Sequence, residues 1–416
     1  MRQHIDQSIE FNPMSADFQR DRYAVFKKIR THCPILKESK TDHWGRNYTT
    51  WHFTSYEDVL WAFRDRRFVK DLTKVLPAEQ IPPAPDQLRA LQQSMQNMMA
   101  FRDPPDHTRL RSLVNQAFTP SIAKRLEPRI REIASYLLQE IEPGETFDLF
   151  HRYAYQLPII VIAELFGAPA ADRELIKEWS RNLLPAVDHN PSKEALVQAN
   201  QAMIEIRDYC RDLVRERSRN PKLDLLSGLI RATHEEDRMS EDELVNMCVL
   251  ILEAGHETTT NLIANSAYLV ARYPEQQALL RAQPEWLESA IEEILRFEPS
   301  VQLRHRIVGE DIEYKGHLLK RGDSVAAWIA SANRDPDVFS DPDPDTFDIT
   351  RGKNPHLSFG QGVHFCLGAP LARREGAIAL QTLLDKYERL ELVEGRVEWK
   401  PTPGRRSFEE LVVHVN

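Results

Sequence analysis

The stretch Phe359-Gly360-Gln361-Gly362-Val363-His364-Phe365-Cys366-Leu367-Gly368, running on into Ala369-Pro370-Leu371-Ala372-Arg373, decides how the rest of the chain is read. A glycine-rich turn delivers one cysteine to the start of a helix. Pro370 suits the first turn of that helix, where it has no intrahelical N–H bond to lose. A thiol placed there has its anion stabilised by unpaired backbone N–H groups and by the helix dipole. Such thiolates either attack a carbon or bind a metal, and the plainer alternative is a buried structural cysteine beside a glycine turn. A dinucleotide-binding loop is rejected, because Phe365 stands where the third glycine of G-x-G-x-x-G belongs and no strand of a βαβ unit leads in.

Around that stretch lie 416 residues, 42% hydrophobic and 28% charged, with 15 Gly and 26 Pro, which excludes collagen-like, low-complexity and disordered classes. A net charge of -9 argues against a nucleic-acid binder, which usually carries a basic footprint. The four cysteines, Cys33, Cys210, Cys248 and Cys366, lie far apart with no C-x-x-C pair, so neither a disulfide framework nor a cysteine-rich zinc site is expected. Charged residues interrupt Met1 to Arg20, leaving no signal-peptide core, and the longest apolar run, Leu157 to Ala163, is far short of the ~20 residues that span a bilayer. The expectation is a cytoplasmic, membrane-free monomer.

Periodicity reads as mainly α with small β-sheets (α+β), and the absence of repeats or a Gly/Ser linker favours a single domain over residues 1–416. Strand-rich parts fall near 35–55, 305–330 and 390–416, and helices fill about 105–300 and 369–388. Ser55 and Asp58 read as a capping box for a helix through Phe63. Breaks are read at Pro143-Gly144, Gly167 to Pro169 and His189 to Pro191, and hairpins at Lys315-Gly316 and within Val397 to Val415. The Asp/Pro-dense stretch from Arg334 to Arg351 is a loop long enough to imply a structural purpose.

Two further segments stand out. One long helix is expected from the capping box at Ser240/Glu243 to about Tyr273, yet its middle reads Ala254-Gly255-His256-Glu257-Thr258-Thr259-Thr260, a run of poor helix formers. Such conflict marks functional sites, or else a kinked core helix. The zinc motif H-E-x-x-H fails, because Thr260 occupies the second histidine position. In Glu293-Ile294-Leu295-Arg296 the plain reading is a surface i,i+3 ion pair, and the apolar stripe of Leu287, Ile291 and Ile294 leaves Arg296 on the solvent side.

Together these segments resemble the cytochrome P-450 superfamily, specifically its soluble bacterial members and the polyketide and secondary-metabolite tailoring enzymes among them. Phe359, Gly362, Cys366 and Gly368 match the family's haem loop F-x-x-G-x-x-x-C-x-G, with Gly360 beside them. The resemblance makes Cys366 the axial ligand of the iron of haem b, a thiolate that favours O–O cleavage. It makes Ala254 and Gly255 haem contacts, and Glu257 and Thr258 the acid–alcohol pair that relays protons in oxygen activation. It closes Glu293 and Arg296 into a buried structural triad with Arg351. It also assigns the haem propionates to His107, Arg111, Arg306 and His364.

The resemblance implies a monooxygenase that hydroxylates or epoxidises a small apolar substrate, using dioxygen and two electrons from a ferredoxin-type donor with its reductase. Val301, Gln302, Ala254 and Met99 are the expected substrate contacts. A basic donor face is expected from Arg109, Lys124, Arg125, Arg373 and Arg374. The rival readings are a peroxide-using or isomerising haem-thiolate enzyme and a non-catalytic haem or ligand-binding module.

Overall fold

A computed structural model describes residues 11–41, 47–81, 84–118, 120–187, 192–232 and 239–416; the break read at His189 to Pro191 lies outside them. The strands are β1 (Ile35–Thr41), β2 (Asn47–Phe53), β3 (Phe68–Val69), β4 (Thr146–Asp148), β5 (Leu303–Val308), β6 (Ile312–Tyr314), β7 (His317–Leu319), β8 (Ser324–Trp328), β9 (Leu390–Trp399) and β10 (Phe408–Val415). The chain forms two compact units that interleave in sequence. The first takes Met1–Pro82, Ser289–Cys366 and Trp399–Ser407; the second takes Pro83–Glu288, Leu367–Glu398 and Phe408–Asn416.

The first unit is built on a five-stranded sheet in the order β1-β2-β8-β5-β3. Only β2 and β8 run parallel, pairing Trp51 with Val325. Both faces of β2 are covered. Trp51 and Phe53 pack with Val59, Val325 and Leu357 on one side, while His52 lies among Phe11 and Trp328 on the other. His52 is polar yet fully buried because its Nδ1 accepts from Trp328 Nε1 at 3.0 Å and its Nε2 donates to Glu38 at 2.8 Å. Ser55 caps the Tyr56–Arg64 helix, accepting from the Asp58 N–H, but the Asp58 carboxylate accepts from the Ser55 hydroxyl and not from its N–H, so the expected capping box is half formed. The Lys315-Gly316 turn joins β6 to β7 with positive φ at both residues, the geometry of a tight two-residue hairpin.

The second unit is helical, with one sheet in the order β4-β10-β9. The apolar run Leu157 to Ala163 lies inside the buried Gln156–Phe166 helix, which Gly167 ends in a left-handed cap. No helix among the described residues is long and apolar enough to cross a membrane. The Ala369–Lys386 helix packs on Pro120–Leu138 and on Glu257–Arg272. Both halves of the Ser240/Glu243 capping box form. The single helix expected from there to Tyr273 is two, Glu241–Ala254 and Glu257–Arg272, interrupted at Gly255 and His256. The break falls where glycine and threonines lower helix propensity, and the Thr258 hydroxyl donates to the Ala254 carbonyl at 3.0 Å.

Candidate functional site

In the first unit the cysteine loop is short and heavily constrained. The Cys366 N–H donates to Phe359 O at 2.9 Å, so the residues between them close a compact turn. Gly360 and Gly362 both have positive φ, and a Cβ on Gly362 would lie 2.6 Å from Phe63 O, so only glycine fits there. His364 closes the 3-10 turn Gly362–His364, and Gly368 caps the Ala369–Lys386 helix two residues after the cysteine. Upstream, three bonds tie the loop down: Ser358 Oγ donates to Leu295 O at 2.6 Å, the Leu357 N–H to Asn333 Oδ1 at 2.8 Å, and His356 Nε2 to Glu292 at 3.1 Å. The Ser358 N–H donates to His356 Nδ1, which fixes that imidazole with its proton on Nε2.

The triad lies beneath this loop's lead-in, in the same unit. Arg296 makes a bidentate pair with Glu293, both bonds 2.7 Å, and Arg351 Nε reaches the same carboxylate at 3.2 Å. Both members of the first pair are fully buried, which corrects the periodicity reading of Arg296 as solvent-facing. The reason is the Asp/Pro-dense loop, which covers that helix face. Arg296 donates to the carbonyls of Asn333, Pro344 and Thr346, and Arg351 to those of Pro342, Asp343 and Thr346. Desolvation pulls the Arg296 guanidinium below its usual range, against the opposing pull of Glu293. Asn354 Nδ2 and the Asp348 N–H complete the acceptor capacity of Glu293, two partners with no sequence signal of their own.

Arg306, on β5, is buried with its guanidinium 5.0 Å from the Phe63 ring centroid and donates to His305 O at 3.0 Å. Phe63 therefore supports both Arg306 and Gly362, a role the sequence did not disclose. Val301 and Gln302, expected as substrate contacts, are both buried. Val301 belongs to the apolar cluster with Phe53, Phe63 and Leu357. Gln302 is fully buried, accepting from Arg22 and donating to Pro299 O at 2.7 Å and to Glu298. Its amide is committed to the unit's interior, because the buried Arg22 and Glu298 need its two polar ends.

The second unit carries the other candidates. His107 is buried in the first turn of the Asp106–Ala117 helix, and Arg111, half-buried, follows at i+4, so helical geometry puts both on one face. Arg109, off that face, pairs with Glu243. Met99 is buried in the turn Met99–Phe101. Ala254 is exposed although Leu252, two residues earlier, is fully buried. Gly255 packs against Ile162, whose Cδ1 would be 2.9 Å from an added Cβ. Glu257 and Thr258 open the next helix, half-buried.

These residues fit a haem in their donor chemistry. Cys33, Cys210 and Cys248 are buried, and burial pushes the thiols of Cys210 and Cys248 up, away from the thiolate form. Cys366 alone among the four is partly exposed, and a Cβ added at neighbouring Gly368 would meet nothing within 4 Å. No cluster of three His, Cys, Asp or Glu that could hold a bare metal ion occurs among the described residues.

Comparison with known proteins gives the same answer. The family model described as Cytochrome P450 matches residues 70–408. The biotin biosynthesis cytochrome P450 of Bacillus subtilis (strain 168) is 36% identical over 406 residues, covering 98% of this chain and 99% of that protein. The structure of P450BioI in complex with hexadec-9Z-enoic acid ligated acyl carrier protein superposes with a TM-score of 0.87 at 35% identity, covering 96% of this chain and 99% of that one. The polyketide synthase cytochrome P450 PksS of Bacillus subtilis 168 does so with a TM-score of 0.88 at 35% identity, covering 98% and 100%. A glycine-turn cysteine, a buried Glu-Arg-Arg triad and a helix broken at Gly255 are thus read in one frame: the chain belongs to the cytochrome P450 family and is a monooxygenase whose cofactor is haem b.

Proposed function

We propose that Cys366 is the axial ligand of the haem iron and that the enzyme hydroxylates or epoxidises a small apolar organic molecule. The observation that carries this reading is the fixed, half-exposed Cys366 at the end of a loop pinned by Phe359 O and Gly362. Bound haem supplies the iron at which dioxygen is cleaved and one oxygen atom is inserted into substrate.

The protein holds and protonates. Phe359, Gly360, Gly362 and Gly368 let the backbone pass close to the porphyrin. His107, Arg111, Arg306 and His364 offer cationic or N–H partners to its propionates. Thr258 Oγ1 donates to Ala254 O, which leaves its oxygen able to accept from a water, and Glu257 beside it can load that water with a proton. Ala254 and Gly255 contribute the haem side of the break. Ala254, Val301, Gln302 and Met99 are the substrate contacts of this reading, Ala254 exposed and the other three buried. Electrons come from a separate ferredoxin-type protein and its reductase, and the enzyme works in the cytoplasm as a monomer. The relatives named for biotin and polyketide biosynthesis support a tailoring role in secondary metabolism.

Cys366→Ser is expected to abolish the red-shifted Soret band of the ferrous carbon monoxide complex while Cys33, Cys210 and Cys248 variants keep it. Survival of the band in Cys366→Ser overturns the ligand assignment. Titrating the wild-type enzyme with a panel of apolar compounds, and following the Soret shift on binding, then sorts substrate classes.

A further inference from the structure

His256, in the break between the two helices, takes no part in the chemistry above, yet the second unit holds it from both sides. It is 1% exposed. Its Nε2 lies 3.3 Å from Tyr155 O and its Nδ1 3.3 Å from Ser180 Oγ. A carbonyl can only accept, so Nε2 carries the proton and donates, and Nδ1 accepts from the Ser180 hydroxyl. The ring stands edge-on to Tyr155 with centroids 4.5 Å apart. Burial holds the imidazole down to about 4, so near neutral pH it is uncharged and keeps this donor–acceptor pattern.

The partners belong to different elements. Tyr155 opens the Gln156–Phe166 helix, and Ser180 lies on Arg173–Leu183, whose Lys177 Nζ sits 5.2 Å from the centroid of the Tyr155 ring. Ile162, from the first of these helices, backs Gly255. The break is therefore tied on one side by an imidazole and a methyl contact, while two residues on the Thr258 hydroxyl bonds the Ala254 carbonyl.

We propose that His256 is a positioning residue for oxygen activation: it straps the helix break to Ser180 and to the Tyr155 carbonyl, and so sets the geometry of Ala254 O and Thr258 Oγ1. This rests on the assignment of proton delivery to Thr258. It also makes Arg173–Leu183 a helix whose displacement reaches that hydroxyl through one side chain.

The test uses haem-loaded protein. His256→Phe keeps a ring against Tyr155 and loses both bonds; His256→Gln keeps one donor and one acceptor; Ser180→Ala removes one hydroxyl. Two readouts need no substrate: amide hydrogen exchange over residues 255–260, and the C–O stretching band of the ferrous carbon monoxide complex. His256→Phe is expected to exchange there on the order of tenfold faster, as loss of two net hydrogen bonds implies, and to shift or broaden the band. His256→Gln is expected to restore both, and Ser180→Ala to give a smaller change of the same kind. If the Phe variant fails to take up haem, Ser180→Ala carries the test. Parental exchange and an unmoved band in His256→Phe, or in Ser180→Ala where that variant stands in, overturn the strap. Thr258→Ala is the separate control: an unmoved band there removes Thr258 from the oxygen side, and leaves the exchange result to judge the strap alone.

Discussion

Glu375 shows what one buried ionisable side chain does to this protein. It sits on the Ala369–Lys386 helix, wholly buried, and its Oε2 has no hydrogen-bond partner among the described residues. Burial pushes its carboxyl well above the usual carboxylate range, so the folded protein holds a proton that the unfolded chain releases. A group raised on folding favours the folded state fully only below its unfolded value. Above that value stability falls by about 1.4 kcal/mol per pH unit until the folded carboxyl titrates. Glu375→Gln keeps the shape and deletes the proton. Its denaturation midpoint is expected to exceed the parent's by an amount that grows from pH 5 to pH 8, and parallel pH profiles would show that the acid is solvated. The sequence hides this residue, because Arg373-Arg374-Glu375 reads as a charged solvent face. Cys366 was legible for the opposite reason: glycines at fixed spacing have a local steric cause, whereas burial of Glu375 depends on the helices packed over it.

At the scale of elements, the loop from Arg334 to Arg351 and the Leu287–Phe297 helix explain each other. Length and Asp/Pro density announced that the loop had a purpose, but helical periodicity placed Arg296 outside, since periodicity cannot see a distant segment folding over a helix face. Six bonds from Arg296 and Arg351 to loop and helix-end carbonyls supply what was missing. Removing one partner of a buried pair leaves a charge without compensation, at a cost of about 3–5 kcal/mol. Arg296→Leu should therefore be the most damaging change, orphaning the Asn333 and Pro344 carbonyls and the bidentate face of Glu293. Arg351→Leu follows, with Arg296 still in place. Asn354→Ala, which removes one bond to the carboxylate, is expected to cost only about 1–2 kcal/mol. Thermal midpoints and the yield of haem-loaded protein check the ranking, and equal midpoints for all three would mean that the cluster is not a stability element. The helix break at Gly255 was half legible in the same way: propensity located the conflict, and only the bond from Thr258 to the Ala254 carbonyl shows how it resolves.

At the scale of the whole molecule the net charge of -9 contains one run, Thr108 to Arg125, with Arg109, Arg111, Lys124 and Arg125 and no acidic residue. Sequence alone offered Arg109, Lys124, Arg125, Arg373 and Arg374 as a donor face, and the ion pairs now sort four of the five. Arg109 is paired with Glu243, and Arg374 reaches both Glu127 and Glu288 at 3.2 Å, so much of their charge is already answered within the protein. Lys124 and Arg125 are exposed on the Pro120–Leu138 helix, with no ion pair among the described residues. An acidic ferredoxin steered toward the second unit is expected to feel those two most. Steering acts over about a Debye length, roughly 10 Å at 0.1 M salt, and shows in the association rate. Lys124→Glu with Arg125→Glu should therefore slow ferredoxin-driven first-electron transfer by about tenfold at low ionic strength, the gap narrowing as salt rises. Arg109→Glu and Arg374→Glu should change the rate less and the melting temperature more, since each opposes a carboxylate it now pairs. Stopped-flow reduction under carbon monoxide, repeated across a salt series, separates the two effects. Rates that ignore both salt and the Lys124/Arg125 reversal would place the donor on another surface.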